Sequence, residues 1–271
     1  MIGVELRKML RSRRTWVTVA IIDFLPSLVA VLLSVTDLGP RPGTGPAFLS
    51  AVLADGSLFP LAAIAIILPL FLPAAVAITA GETIAGEAQQ GTLRYVLIWP
   101  VGRTRLLVAK LVSVMAFVLL TLLVVAVTAY VLGVVLLGHQ DVGAATTTFS
   151  GTQLTTSQLV ERTGLALAYA LLSMLGVAAV ALFLSTVVRS PLAAAMGTLA
   201  LLIGSSLLLT LDAAHGLRPY LVTRYWLAFV DLFRDPILWH DVVHGVLLQA
   251  GYVVVFLGAA WANFVTKDIT D

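Results

Sequence analysis

Five stretches of this chain carry no formal charge: 56–81, 111–140, 163–188, 190–211 and 242–266. Each is longer than the roughly 20 apolar residues with which a helix crosses the hydrocarbon of a bilayer. A sixth stretch, Thr15 to Thr36, is apolar apart from Asp23. The chain has 271 residues, 60% of them hydrophobic and 11% charged, against about 25% charged in an ordinary domain. A water-soluble fold of this size would have to leave much of that apolar surface in water. The fold class expected is all-α: a polytopic membrane protein with six transmembrane helices. Their cores fall at about 16–36, 58–80, 111–137, 164–188, 191–211 and 242–264.

The first stretch is expected to be an uncleaved span rather than a signal peptide. Its apolar region is long, five basic residues precede it, and no small-residue cleavage pattern follows at Gly39 to Pro46. Six spans put both termini on one side. That side carries Arg7, Lys8, Arg11, Arg13, Arg14, Arg94, Arg103, Arg105, Lys110, Arg189 and Lys267. The other carries Arg41, Arg162, Arg218, Arg224 and Arg234. The positive-inside rule therefore places both termini in the cytoplasm, with the chain multi-pass in the cell membrane, expected to be the bacterial cytoplasmic membrane.

Several function classes fall away. The formal charge of +2, from 16 basic and 14 acidic residues, is too balanced to suggest a nucleic-acid partner. Zero cysteines exclude disulfides, iron–sulfur clusters and thiol catalysis. The whole of 1–271 reads as one transmembrane domain, because no segment between spans is large enough to fold alone as a nucleotide-binding or catalytic domain. No phosphate-binding G-x-x-x-x-G-K-[ST] loop occurs. Energy for active transport must come from an ion gradient or another polypeptide.

The connection 81–110, GETIAGEAQQGTLRYVLIWPVGRTRLLVAK, carries the sharpest signal. Glu82 to Gln89 suit a short helix, with Gly91 as its C-terminal cap. Leu93, Val96, Leu97, Ile98 and Trp99 form an interfacial segment that Pro100 breaks. Arg103, Arg105 and Lys110 then face phosphate-rich headgroups or a partner. Residue types alone allow an ordinary connection resting on the bilayer, or a stiff lever that docks on a cytosolic motor.

The order of residues resembles ABC-2 type exporter permeases: Glu87, then Gly91-Thr92-Leu93-Arg94, an apolar run, Pro100-Val101, and basic residues before the third span. Trp99 and Gly102 depart from it, standing where serines are common. The start, Glu5-Leu6-Arg7-Lys8-Met9-Leu10-Arg11, looks like that family's amphipathic connecting helix over 1–14. Leu6, Met9 and Leu10 would supply apolar contact, and Arg7, Lys8 and Arg11 would lie in water or near anionic lipid. The resemblance implies a type V exporter-like architecture. It also implies two separate ABC ATPase subunits holding ATP and Mg2+, with no cofactor bound by this chain, and a pairing with a second copy or a homologous permease in contact with membrane lipids. Region 81–110 becomes the coupling region, with Glu82, Glu87, Gly91, Thr92 and Arg94 as ATPase-coupling residues.

Polar and breaking residues within the spans supply further candidates for gating or a substrate path. Asp23 lies three residues before Pro26, and an intramembrane carboxylate must face protein or water, or be protonated; a structural hydrogen bond and a transport role are both open. Pro69 and Pro73 both remove helix hydrogen bonds, so a bend is expected in the second span. His240, Asp241 and His244 lack a third metal ligand on one face, and interfacial hydrogen bonding is preferred. Segment 212–241 is expected to be an extracytoplasmic interfacial or re-entrant element. Trp226, Phe229 and Phe233 share one stripe of an amphipathic helix there, as interface anchors or a cap on the route. No catalytic and no metal site is expected. The other classes kept open are an integral membrane enzyme acting on a lipid-like substrate and a noncatalytic assembly or signalling subunit.

Overall fold

The computed structural model describes residues 2–35, 56–91, 102–138, 146–147 and 153–266. Eight α-helices are described: α1 (Ile2–Arg11), α2 (Arg13–Val35), α3 (Phe59–Ile67), α4 (Phe71–Gln89), α5 (Arg103–Leu132), α6 (Thr156–Val187), α7 (Pro191–Thr210) and α8 (Trp239–Thr266). A two-rung ladder pairs Thr146 with Leu154 and Thr147 with Gln153. It stands just before α6, whose first turn is closed by a capping box: Gln158 N donates to Thr155 Oγ1 and Thr155 N to Gln158 Oε1.

Helix α2 shows why these segments need lipid. Val19, Ile22, Pro26 and Ala30 line its buried face, while Val17, Ile21, Phe24, Leu28 and Val31 line an exposed one. A helix apolar on both faces is stable only where its outer face meets hydrocarbon. Five described helices are long and apolar enough to cross a membrane.

The sixth crossing is broken. Helices α3 and α4 meet at 56° across Leu68-Pro69-Leu70, as the prolines predict. Only Pro69 sits in the break; Pro73 is the third residue of α4, where a helical N–H has no intrahelical acceptor, so it removes no bond. The pair still crosses. At one end Gly56 N donates to Gly138 O, after the π-helical segment Gly133–Leu137 that extends α5; at the other, Glu87 bonds Lys110 in the second turn of α5. The 30 residues of α5 measure about 45 Å at 1.5 Å per residue, so α3–α4 runs antiparallel along a full span. Six crossings put α1 and the end of α8 at one face, called the near face below.

The break also admits a close contact at the far face. A Cβ on Gly56 would lie 2.1 Å from Gly133 O, and one on Gly133 would lie 2.1 Å from Gly56 O, so two backbones touch where only glycine fits. Around this scaffold, Phe59, Ile64, Ile67, Leu72, Phe117, Leu122 and Met174 form a continuous core with Phe229 and Phe233.

Those last residues correct an expectation. The segment 226–233 is a 3-10 helix, and Trp226, Phe229 and Phe233 are 3%, 0% and 1% exposed. They are core side chains packed against α6 and α8, not interface anchors. Arg162 secures the segment by donating to Arg234 O at 3.0 Å. The segment plugs the far-face end of the bundle, and the 3-10 helix Asp212–Tyr220 that precedes it is exposed, with only Ala214 buried.

Candidate functional site

Helix α4 does not stop at the near face but continues through Glu82 and Glu87 to Gln89. The helix expected over Glu82 to Gln89 is therefore the end of the second span, and no joint separates the two. Gly91 closes it with φ +65°, its N–H donating to Ala88 O at 3.1 Å, a conformation that favours glycine after a helix. Thr92 and Arg94, with the apolar run to Pro100, lie outside the described residues.

Three elements meet at this end. Lys110, in the second turn of α5, falls on the same face as Leu106, Leu107 and Val114, and all four are buried. Its Nζ bonds Glu87 Oε1 of α4 and lies 3.2 Å from Glu5 Oε1 of α1. The Lys110 side chain is 3% exposed, those of Glu87 and Glu5 14% and 19%. Lys8 lies 3.5 Å from the same Glu87 oxygen, and Arg14 lies 3.7 Å from Glu82, but both cations are largely in solvent. Exposed pairs of this kind contribute at most about 1 kcal/mol. Lys110 is the group that the arrangement depends on.

Lys110 was expected among headgroups or at a partner; it is instead a buried bridge. The reason is its flanks: Val108, Ala109, Leu111 and Val112 carry the helix into hydrocarbon, and the ammonium is satisfied by the carboxylates of Glu87 and Glu5. Arg103 also turns inward. Its Nη1 donates to Phe264 O and Val265 O at 3.1 and 2.7 Å, capping the last turn of α8 where carbonyls lack intrahelical donors. Trp261 Nε1 donates to Thr104 Oγ1 at 2.9 Å beside it. Arg7, Lys8, Arg11 and Arg105 are exposed. In α1, Leu6 and Met9 are partly buried while Leu10 is 47% exposed.

Ser185 of α6, which drew no notice in the sequence, completes the site. Its buried hydroxyl donates to Gly81 O at 2.8 Å and accepts from Ile84 N and Ala85 N at 3.2 and 2.9 Å. Gly81 lets this turn approach the start of α7: a Cβ there would lie 3.1 Å from Ala195 N. The end of α4 is thus gripped on one side by α6 and α7 and on the other by α1 and α5. A polar cavity of about 430 Å³ opens between α1, α4 and α5, lined by Glu5, Lys8, Arg14, Glu82, Glu87 and Lys110 among others. Equal numbers of acidic and basic groups suit a mechanical lock better than an ion site.

The other candidates lie apart. Asp23 accepts from Thr128 Oγ1 of α5 within the bundle, an interhelical hydrogen bond. His244 Nδ1 is 2.7 Å from His240 O, and among the described residues no three His, Asp or Glu side chains gather as metal ligands. Gln249, buried in α8, donates to Val222 O at 2.9 Å and ties that helix to the far-face plug.

Residues 1–226 match the family model described as ABC-2 family transporter protein. No curated protein matches the chain. The match covers most of the chain, from α1 through the first residue of the buried 3-10 helix, and the chain belongs to this family. It is a multi-pass membrane protein and a permease component of an ABC transporter, a transport subunit rather than the ATPase.

Proposed function

We propose that this ABC-2 permease works as an exporter subunit driven by two separate ABC ATPase subunits, which bind ATP and Mg2+ and dock at the near face. That face is cytoplasmic in this reading, as its excess of Arg and Lys requires, and the membrane is the bacterial cytoplasmic membrane. The permease pairs with a second copy or a homologous permease.

The observation that carries the reading is the Glu5–Lys110–Glu87 cluster. It joins the amphipathic α1 and the end of the broken span α3–α4 to the first turns of α5. A force on α1 or on the 82–91 turns reaches α5 through a desolvated ion pair, and reaches α6 and α7 through Ser185 and Gly81. The break at Pro69 gives α4 freedom to tilt without dragging α3, whose core packing at the far face includes Phe59 and Ile64. Hydrolysis would move α4 and α1 together, close the near face and open the far one. Glu82, exposed on that lever, Gly91 at its end, and Thr92 and Arg94 next in sequence are the ATPase contacts in this account.

The test is co-purification in lipid nanodiscs followed by ATP hydrolysis assays. The expected result is an ATPase bound to the permease whose turnover falls when Gly91→Val or Glu82→Lys is introduced. A chain that purifies alone and turns over lipid without ATP would support the membrane-enzyme alternative instead. A stable complex whose hydrolysis ignores both substitutions would remove the lever assignment.

A further inference from the structure

Between helices α7 and α8 lies an apolar groove of about 700 Å³, open to the side. One wall is Leu201, Gly204 and Leu208 of α7, the other Leu248, Gly251 and Phe256 of α8, with Tyr220 and Leu221 at its far-face end. Gly204 and Gly251 hollow it: a Cβ on either would meet nothing within 4 Å. The polar groups along its wall are already engaged. Ser205 shares a hydrogen bond of 2.8 Å with Thr223, and Tyr252 Oη donates to Tyr220 O at 2.9 Å.

We infer that this groove holds one acyl chain of a bilayer phospholipid from the far-face leaflet. Three observations favour that occupant. The wall on α7 spans 200–208, in the far-face half of that helix, and the wall on α8 runs from Leu247 to Phe256, which at 1.5 Å per residue is about 14 Å, about half of a hydrocarbon core of about 30 Å. Its engaged polar groups ask nothing of a ligand but apolar contact, so water is a poor filler. Tyr220, 69% exposed, adds an aromatic ring to the lining, apolar surface against which a chain can pack. The inference depends on the membrane topology alone and stands or falls separately from ATPase coupling.

The test uses purified full-length chain in phosphatidylcholine nanodiscs containing a trace of phosphatidylcholine with a diazirine near the middle of one acyl chain. Photolabelled peptides are mapped by mass spectrometry. The expected result is labelling concentrated on 200–208 and 247–256. It should fall about tenfold in Gly204→Leu/Gly251→Leu, with labelling of the lipid-facing stripe of α2 unchanged. Gly258→Leu, another glycine with open space but outside the groove, should leave the pattern as it is. Because the chain has no cysteine, Gly204→Cys supplies a unique thiol for a second readout. Efficient disulfide-linked dimers through it would mean that a second copy fills the groove, and would overturn the proposal. So would labelling that merely follows exposure and is unaffected by filling the groove. If the doubly filled variant fails to purify, Gly251→Leu alone should still halve the labelling or better; no change would count against the proposal.

Discussion

Replacing Lys110 by Met keeps the aliphatic stem and removes the charge. The wild-type ammonium is 3% exposed between two carboxylates that are 14% and 19% exposed. Removing one partner of a buried ion pair costs about 3–5 kcal/mol, chiefly because the remaining charge is left desolvated. Glu87 and Glu5 each retain some water, and Glu87 keeps Lys8 at 3.5 Å, so the low end, about 3 kcal/mol, applies. At about 1.4 kcal/mol per factor of ten, α1 should separate from α4 roughly a hundredfold more often. Hydrogen exchange in nanodiscs would read this as faster exchange in 2–11 and 82–91, with the middle of α6 unchanged. Lys8→Ala, whose side chain is 68% exposed, should change exchange by no more than about fivefold. Adding Glu5→Gln and Glu87→Gln to Lys110→Met should recover most of the protection, since no charge is then stranded. Equal effects of Lys110→Met and Lys8→Ala, or acceleration spread evenly over every helix, would refute the reasoning.

Further substitutions probe the rest of the scaffold. Gly245→Ala would set a Cβ 1.9 Å from Tyr169 Oη, whose hydroxyl donates to Tyr225 O. The overpacking should cost about 1–3 kcal/mol in thermal unfolding, and Tyr169→Phe should relieve part of it, since Tyr225 Cβ still lies 2.9 Å from the added carbon. Phe229→Ala should cost about 3–5 kcal/mol and lower the yield of folded protein, whereas an interface anchor would lose little. Asp23→Asn keeps an acceptor for Thr128 and should change stability by less than about 1 kcal/mol; a tenfold loss of transport at normal expression would show that the carboxylate does more than hold α2 to α5.

How far the sequence reveals this molecule depends on whether a feature is local. Spans are local: uncharged runs between charged ends leave few alternatives, and the break at Pro69 follows from one missing N–H and its ring. The Gly91 cap was legible for the same reason. Lys110 was harder, since its fate turns on which face of α5 meets α1 and α4. A signal existed, because Leu106, Leu107, Lys110 and Val114 share helical spacing, so the lysine had to be buried with them. Trp226, Phe229 and Phe233 give the same periodic stripe whether it faces lipid or core, and only the return of the chain between α7 and α8 decides. Ser185 carries no sequence signal at all: one hydroxyl in an apolar helix becomes informative only when Gly81 and Ala85 lie opposite it.

The central claim is that the end of α4 is where an ATPase acts on this permease. In a chain without native cysteine, Gln89→Cys places a unique thiol on the last, exposed residue of that helix. Leu217→Cys places one on the exposed far-face 3-10 helix. The complex with its ATPase would be treated with a short thiol-to-amine crosslinker, with and without ATP and Mg2+. The account predicts crosslinking to the ATPase from position 89, with a yield that changes on adding nucleotide, and none from 217. An intact, hydrolysing complex that gives no crosslink from position 89, in either nucleotide state, would contradict it.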